Sequence, residues 1–396
     1  ASLIDGRNVL AIHGLNDSAS SGDFLISAAL VTQRTAGNLY LPSPTPGTAN
    51  RDGVIGFVAD TAFSVDRGFY ETPFVTEITT PTPGATLVYT TDGSKPDLSN
   101  GTIVPPPDAD SPPHTAVPID STTTLRAAAF KEKFLPTNTD THTYIFVSDV
   151  GNQPLMVTQH PTWGPLVDDA LLALPTISLV TDTAISQAES AASVEWIDPG
   201  GSADFQADVG VEHFGGHSLG SAKKNMRLSF KSVYGPAQLN YNLFDDPSAT
   251  DTFNQLLLRT GSHDNFFWTH PGGARGNYLR GRWAFDRQLE AGHLAPHGRF
   301  VHVYINGVYH GQHHLMERPN AEFMASYNGG TPADYDALNA GTAVDGDTVA
   351  WNALLASTND YTQSQQFLDM VNYTDYLLLQ FFGGNDWDWR AFQNWM

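Results

Sequence analysis

Apolar and polar residues alternate with a period of two through most of the first part of the chain, a pattern typical of β-strands. The alternation occurs at 8–15 and 24–27, and it returns from 63 to 147 as short β-branched runs separated by Pro-Gly and Asp-Gly turns. Residues 41–62 lie between these regions and are rich in Pro, Gly, Thr and Asn, which indicates a linker. This part of the chain is therefore predicted to form all-β sandwich modules.

The pattern changes near residue 174, where an apolar run at 175–180 predicts a buried strand. Strand and helix patterns are then interleaved, at 205–214, 278–291, 300–304 and 367–382. This interleaving predicts an α+β domain over 174–396, with residues 151–173 as a second linker. A multidomain chain also agrees with the length of 396 residues, because single cores stop growing at about 250–300 residues.

Charge and composition exclude several classes of function. The chain has 42 acidic residues against 20 Lys and Arg, a net charge of −22, which repels nucleic acids and anionic membrane surfaces. It contains no cysteine, so disulfides, thiolate metal sites and Cys nucleophiles are excluded. Since no run of about 18 apolar residues occurs, no transmembrane segment is predicted.

A glycine-rich turn followed by two lysines is the first candidate site. Gly215 and Gly216 follow one strand pattern, and Lys223 and Lys224 precede the next. Glycines allow backbone N–H groups to approach an oxyanion, and a lysine at the start of a strand can reach a phosphate. A P-loop is excluded because no Gly-Lys-Ser/Thr ending precedes a helix. Alternation places Met226, Leu228 and Phe230 on one face and Arg227, Ser229 and Lys231 on the other. The alternative is a hairpin with a basic, solvent-exposed edge.

A second candidate region is the hairpin at 301–320, which turns at Asn306-Gly307. Glu317 lies at its end, where a sheet could direct the carboxylate toward a lysine in a cleft or pair it with Arg318. His310, His313 and His314 are crowded in the same hairpin. A zinc site is disfavoured because His313 and His314 point to opposite faces of a strand and no His-Glu-x-x-His motif is present.

The third candidate is the segment 383–395, which places Asp386, Asp388 and Asn394 among tryptophans directly after an apolar run at 376–382. Such residues are poor interior residues unless they are paired. We expect a helix that ends at Gly383-Gly384 and delivers these side chains into a cleft. The alternative is a solvated loop at the helix end whose tryptophans close the core.

Two β modules show family resemblances. Residues 6–12 and 20–24 resemble the last strands of jelly-roll, galactose-binding-like modules, so residues 1–40 are interpreted as a fragment of one. The string Tyr-Thr-Thr-Asp-Gly-Ser-Lys-Pro at 89–96 resembles the small sandwich found at the C-terminal ends of chitobiases and hexosaminidases, placed at 63–150. That resemblance implies a spacer or a weak glycan contact.

Several blocks in one order resemble the spore-coat protein H (CotH) kinase-like family, over 174–396. The blocks are 215–218 with 223–231, 257–264, 278–287, 304–311 with 316–320, and 384–389. The resemblance implies an atypical protein-kinase-like fold that binds ATP with Mg²⁺ or Mn²⁺ and transfers phosphate to Ser or Thr hydroxyls. It implies nucleotide binding by Lys223, Lys224 and Arg227, with Glu317 as an ion-pair partner of the lysines. It further implies that Asp386 or Asp388 accepts the hydroxyl proton and that Asn394 and Asp388 face the metal.

The chain departs from the kinase pattern in two ways. The catalytic Asp of ordinary kinases precedes the metal-facing Asn by five residues, whereas Asp388 precedes Asn394 by six and Asp386 precedes it by eight. The family carries a Trp-Asp-x-Asp-like metal-binding stretch after this segment, and the sequence stops at Met396 before it. We therefore expect a domain truncated at its C-terminus, weak or inactive as this fragment.

The function predicted from the sequence is that of a secreted or cell-surface bacterial protein with a kinase-like domain, with its enzymatic activity and oligomeric state left open. The main alternative is a non-catalytic adhesion or glycan-binding protein that uses the kinase-like domain as a scaffold. A glycoside hydrolase is a third alternative, but the C-terminal acids are too close in sequence to imply the separation that paired glycosidase carboxylates need. The expected partner is accordingly a protein substrate or a cell-surface glycan.

Overall fold

The computed structural model describes residues 39–41, 47, 53–153, 157–201, 204–261, 264–265 and 276–385. They fall into two compact units, a small one that ends at Phe57 and also includes Glu132–Leu135, and a large one with the rest of the described chain. In the small unit, β1 (Gly56–Phe57) pairs in parallel with β9 (Phe134–Leu135), and Tyr40 forms an antiparallel bridge with Val54. The predicted jelly-roll fragment lies almost entirely outside the described residues.

The large unit begins with the predicted β-sandwich. Its three-stranded sheet contains β2 (Ala62–Phe63), β4 (Phe74–Thr79) and β7 (His114–Ile119). Its five-stranded sheet has the order β3 (Gly68–Phe69), β10 (Asp140–Ile145), β8 (Thr123–Phe130), β5 (Thr86–Thr90), β6 (Thr102–Val104). Ile78, Leu87 and Leu125 are fully buried in the sandwich core. Buried and exposed positions alternate in β4 and β7, whereas the central strand β8 is buried along most of its length.

Seven strands of the following domain close into a barrel. In barrel order they are β11 (Thr176–Val180), β12 (Ser190–Ile197), β13 (Phe205–His213), β14 (Met226–Ser229), β17 (Gln255–Arg259), β19 (Val308–Glu317) and β18 (Gly298–Ile305). Each neighbouring pair is antiparallel except β11 with β18, whose parallel pairing closes the barrel. The α+β prediction is confirmed, but the sequence pattern did not predict closure.

The barrel core holds the inward-facing residues of all seven strands. It contains Ile177, Val194, Trp196, Val209, Val211, Met226, Leu228, Leu256, Leu258, Val301, Val303 and Leu315. The predicted faces of β14 are confirmed, because Met226 and Leu228 lie in this core. The two ends of the barrel are named after Lys223 and Glu317. The Lys223 end lies where β13 finishes at His213 and β14 starts at Met226, and the Glu317 end lies where β19 finishes.

Six α-helices and two short sheets accompany the barrel in the described residues. The helices are α1 (Val167–Leu171), α2 (Arg280–Glu290), α3 (Ala321–Asn328), α4 (Val349–Ser357), α5 (Tyr361–Ser364) and α6 (Met370–Phe382). The short sheets pair β15 (Leu239–Asn240) with β16 (Thr252–Phe253), and β20 (Ala337–Asn339) with β21 (Thr342–Asp345). No helix in the described residues is long and apolar enough to cross a bilayer.

Residues 151–173, interpreted above as a linker, include α1, which is packed in place. Val167 and Leu171 on one side of this helix join a buried cluster with Ile145 of the sandwich and Ile197 and Tyr304 of the barrel. The carbonyl oxygen of Ala170 lies 2.9 Å from His302 Nε2 on the outer face of β18. The segment is therefore a packed connection, because its apolar residues find partners on both neighbouring domains.

A buried carboxylate also joins the sandwich to the barrel. Glu195 on β12 is fully buried and pairs with Arg67 of the sandwich at 3.0 Å. Its two oxygens accept hydrogen bonds from the backbone N–H of Thr143, at 2.9 Å, and from the Thr143 hydroxyl. Burial raises the pKa of Glu195, and the charge of Arg67 and the bonds from Thr143 oppose that shift.

We expect Glu195→Gln to lower the free energy of unfolding by about 2–3 kcal/mol, because the guanidinium of Arg67 would keep its burial and lose its counter-charge. Urea unfolding measures this change. Glu77→Gln is the matched control, since Glu77 is exposed on β4 and should change stability by less than about 0.5 kcal/mol. Equal stability of both variants would show that the Glu195 pair does not hold the junction.

Candidate functional site

Hydrogen bonds of a buried asparagine stabilise the glycine-rich turn between β13 and β14. Gly215 has a φ of +125°, and an ideal Cβ there would lie 2.2 Å from Ser218 Oγ, so only glycine fits this position. Asn225 Nδ2 donates to the same Ser218 Oγ at 3.1 Å, while its Oδ1 accepts from the backbone N–H of Thr260 at 2.8 Å. The buried amide of Asn225 thus ties the turn to the end of β17 and fixes the residues just before it, including Lys223.

Lys223 extends from this turn across the end of the barrel. Its Nζ donates to the Gln312 carbonyl oxygen at 2.6 Å and lies 2.8 Å from where a Cβ on Gly311 would be. Burial lowers the pKa of Lys223 to about 8. Among the described residues no carboxylate pairs with this ammonium group. A partly buried lysine without a counter-charge is the arrangement expected of an anion site.

Arg227, predicted to bind nucleotide, lies on the outer face of β14. Its Nε donates to Glu212 Oε1 at 2.8 Å, and its guanidinium stands 5.2 Å from the centre of the Phe214 ring. Met226 and Leu228 beside it point into the core, so Arg227 is directed away from the barrel interior. The structure does not bring Arg227 together with Lys223, and its role in nucleotide binding stays a prediction. Lys224 follows Lys223 in the same turn and is partly exposed.

The predicted ion pair between Glu317 and the lysines is wrong. Glu317 pairs across the sheet with the core residue Leu256 and therefore faces the barrel interior, but at the opposite end from Lys223. It lies five residues beyond Gln312 along β19, roughly 16 Å at the rise of an extended strand. The carboxylate instead accepts from the backbone N–H of His297 at 2.7 Å and from Tyr327 Oη at 2.7 Å. The hydrogen-bonding capacity of the Glu317 carboxylate is therefore used by His297 and Tyr327, which lie nearer than Lys223.

At the Glu317 end, Ser248, His297 and Glu317 form a chain that resembles a hydrolase triad. His297 Nε2 lies 3.0 Å from Ser248 Oγ, and its Nδ1 lies 3.0 Å from Glu317 Oε2. However, Ser248 Oγ also lies 2.7 Å from Asp246 Oδ1, an acceptor that competes for the single hydroxyl proton. A nucleophilic serine must give that proton to the histidine. The chain is best explained as a structural network that anchors α3 through Tyr327.

A group of histidines at the Lys223 end did not follow from the sequence pattern. His313 and His314 do point to opposite faces, as predicted: His313 pairs with the core residue Val301, and His314 pairs with Arg259 on the outer face. His310 is an extra residue in β19, because the pairing passes from Gly311 directly to Tyr309. This bulge puts His310 on the side of His313, with the two rings stacked 5.5 Å apart. In a regular strand, residues three apart would face opposite sides, so alternation could not reveal the pair.

No group of three or more His, Cys, Asp or Glu residues within the described ranges is arranged to hold a metal ion. The predicted metal ligands and catalytic acids Asp386, Asp388 and Asn394 lie outside those ranges. The helix before them ends as expected: Gly383 follows the last residue of α6, and Gly384 has a φ of +61°.

Both predicted modules match known protein families. Residues 65–143 match the family described as chitobiase/beta-hexosaminidase C-terminal domain, and residues 211–383 match the family described as CotH kinase protein. The chain contains a CotH kinase family domain. The two modules occur in the predicted order, and no curated protein matches the chain. The residues that match the CotH family begin at Val211 within β13. The strands β11 and β12 come before the match, but they also form part of the barrel.

The burial of Lys223 in the CotH domain should give stability a specific pH dependence. The pKa of Lys223 is about 8 in the folded chain and about 10.4 in an unfolded one. Between these values the unfolded chain binds more protons, so the free energy of unfolding rises with pH, and the cost of burying the charge is complete below pH 8. Between pH 7 and pH 10, the free energy of unfolding of the wild type should rise by about 2 kcal/mol relative to that of Lys223→Met.

Urea unfolding at intervals over this range measures the difference. Lys224→Met is the matched control and should show no such trend relative to wild type. A difference between wild type and Lys223→Met that does not change with pH would contradict the burial of a charged Lys223.

Proposed function

We propose that the CotH domain binds ATP with Mg²⁺ or Mn²⁺ at the Lys223 end of the barrel and transfers phosphate to Ser or Thr hydroxyls of a protein. The observation that carries this proposal is the position of Lys223. Its ammonium group is partly buried beside a glycine-rich turn, and no described carboxylate neutralises it. Phosphate oxygens would supply the missing counter-charge, and charge-assisted hydrogen bonds of this type are stronger than neutral ones.

The glycine-rich turn supports the same assignment. An ideal Cβ on Gly216 or Gly220 meets nothing within 4 Å, so the turn has open space on this side while Asn225 holds it from below. Backbone N–H groups in such a turn can approach phosphate oxygens closely. In phosphoryl transfer, most of the catalytic effect comes from positioning and from charge stabilisation, which a fixed turn and a fixed lysine can provide.

The remaining roles rest on the residues after α6. Asp386 or Asp388 would accept the proton of the attacking hydroxyl, and Asn394 with Asp388 would hold the metal, which neutralises charge on the transferred phosphate. Carboxylate and amide oxygens are the ligands that Mg²⁺ prefers in proteins. A secreted or cell-surface bacterial protein is the setting we propose, with a protein substrate as the partner.

A second candidate function is a non-catalytic scaffold in a cell-surface protein that binds glycans. The observation in its favour is that the Glu317 carboxylate accepts hydrogen bonds from His297 and Tyr327 and does not pair with Lys223. An active kinase requires its lysine–glutamate ion pair in place. In this alternative the sandwich at 65–143 would contact the glycan and the barrel would hold it in position.

We expect Lys223→Met to weaken ATP binding by about tenfold to a hundredfold, because one charge-assisted contact contributes about 1.5–3 kcal/mol. Lys224→Met, its neighbour in the same turn, should change binding by less than about threefold, since the charge of Lys224 is partly exposed and therefore screened by solvent. Calorimetric titration with ATP and Mg²⁺ measures both. Wild type that binds no ATP with either metal, or Lys223→Met that binds it as well as wild type, would refute the site.

An assay of phosphoryl transfer distinguishes the proposed enzyme from the non-catalytic scaffold. With labelled ATP and Mg²⁺ or Mn²⁺, Asp386→Ala or Asp388→Ala should reduce incorporation into protein by at least about a hundredfold while ATP binding stays within about threefold in metal-free buffer. Incorporation that survives both substitutions would remove these acids from the mechanism. ATP binding without any incorporation by the wild type would favour the scaffold.

A further inference from the structure

Three imidazole rings share the Lys223 end of the barrel with the lysine itself. His313 is fully buried and faces inward from β19, and His310 stacks on it through the bulge. His213 is the last residue of β13 and pairs with the core residue Met226, so it faces the same interior. His310 interacts electrostatically with both His213 and Lys223, and His313 with His310 and Lys223. The four side chains therefore form one group, the histidine cluster.

Within the described part of the chain, each of the three rings has one buried nitrogen without a hydrogen-bond partner. These are His213 Nδ1, His310 Nε2 and His313 Nε2. The other nitrogen of His313 lies 3.0 Å from the Gly311 carbonyl oxygen, and the ring of His213 donates to the backbone carbonyl of Asn225. In the neutral rings of His313 and His213 the unpaired nitrogens are consequently unprotonated acceptors. Buried polar atoms in proteins are nearly always paired, so three unpaired nitrogens in one place call for a group that binds them.

The charged groups that act on the pKa values of the three rings are lysines and other histidines. Burial and the charge of Lys223 lower the pKa of His310 to about 4, and the same two causes hold the pKa of His313 well below its usual value. Burial and the charge of Lys224 lower the pKa of His213, and His302 is the remaining titratable group that acts on His313. No described carboxylate forms an ion pair or a hydrogen bond with any member. At neutral pH the three rings are uncharged, and an arriving anion would favour their protonated form.

We propose that the histidine cluster is a proton-linked subsite for the phosphate groups of the nucleotide, in which His310 or His313 takes one proton from solvent and donates it from Nε2 to a phosphate oxygen. This inference rests on the proposed function. No covalent bond forms or breaks: the proton leaves solvent, resides on the ring nitrogen, and returns to solvent when the anion leaves. Lys223 then holds one phosphate oxygen while the ring holds another.

A metal ion is a poorer explanation of the same nitrogens. The rings of His310 and His313 are nearly parallel, with 22° between their planes, whereas ligands of one tetrahedral ion must direct their lone pairs at a common point. In the described residues no group of three suitable side chains is arranged for a metal, this cluster included. An anion is bound by donors over a larger volume and tolerates this geometry.

The test is the number of protons taken up when ATP binds at pH 7. Calorimetric titration with MgATP in buffers of different ionisation enthalpy gives this number. Lys223, with a pKa of about 8, is already about nine-tenths protonated at pH 7, so it contributes only about 0.1 proton. Protonation changes of ATP itself are the same for every variant. We expect wild type to take up about 0.5–1 proton more than the double variant His310→Gln/His313→Gln, which should also bind ATP about tenfold more weakly.

His114→Gln is the matched control, because His114 is exposed on β7 and should take up as many protons as wild type. If the double variant does not fold, the imidazole ¹⁵N shifts of wild type report the same event, with the ring of His310 or His313 becoming doubly protonated when MgATP is added. ATP binding with the same proton number in wild type and double variant, or without a change of ring protonation, would overturn the subsite and leave the proposed function intact. No ATP binding by wild type would overturn both.

Discussion

The parallel pairing of β11 with β18 is the constraint on which the rest of the domain depends. It joins Thr176–Leu179 to His302–Ile305 and turns a seven-stranded sheet into a closed barrel. Closure requires alternate residues of every strand to face one interior, which is filled by aliphatic side chains and Trp196. Polar residues on inward-facing positions can then be accommodated only at the two ends. Lys223, His213 and His313 are brought together at one end for this reason, and Glu317 is placed at the other.

The electrostatics of the Lys223 end contrast with those of the whole chain. A net charge of −22 repels any nucleotide at a distance, so an anion site must be built from groups whose charge is not cancelled nearby. Arg227 and Lys231 are already engaged, with Glu212 and Glu189 respectively, and Lys224 is partly exposed to solvent. Lys223 differs because its partner is a carbonyl oxygen. Among the described residues the charge of Lys223 is thus not cancelled by a neighbouring carboxylate, and the low dielectric of the partly buried site increases the effect of that charge.

Features set by neighbouring residues could be predicted from the sequence, and features set by distant residues could not. The Asn306-Gly307 turn, the end of α6 at Gly383 and the two faces of β14 follow from local periodicity and turn chemistry, and the structure contains all three. The partner of Glu317 did not follow, because His297 comes from a preceding loop and Tyr327 from a later helix. The bulge at His310 shifts the register by one residue, and a single such insertion reverses which residues share a face. The roles of Asp386, Asp388 and Asn394 concern residues outside the described ranges and stay predictions.

The packed connection at α1 determines how the sandwich and the barrel can behave together. Ile145, Leu171, Ile197 and Tyr304 form one cluster across the junction, and Glu195 bonds both to Arg67 and to Thr143. Because these contacts fix the sandwich to the barrel wall, the Lys223 end keeps one direction relative to the sandwich. A partner held by the sandwich would therefore meet the Lys223 end at one fixed angle instead of at the random orientations that a flexible tether allows.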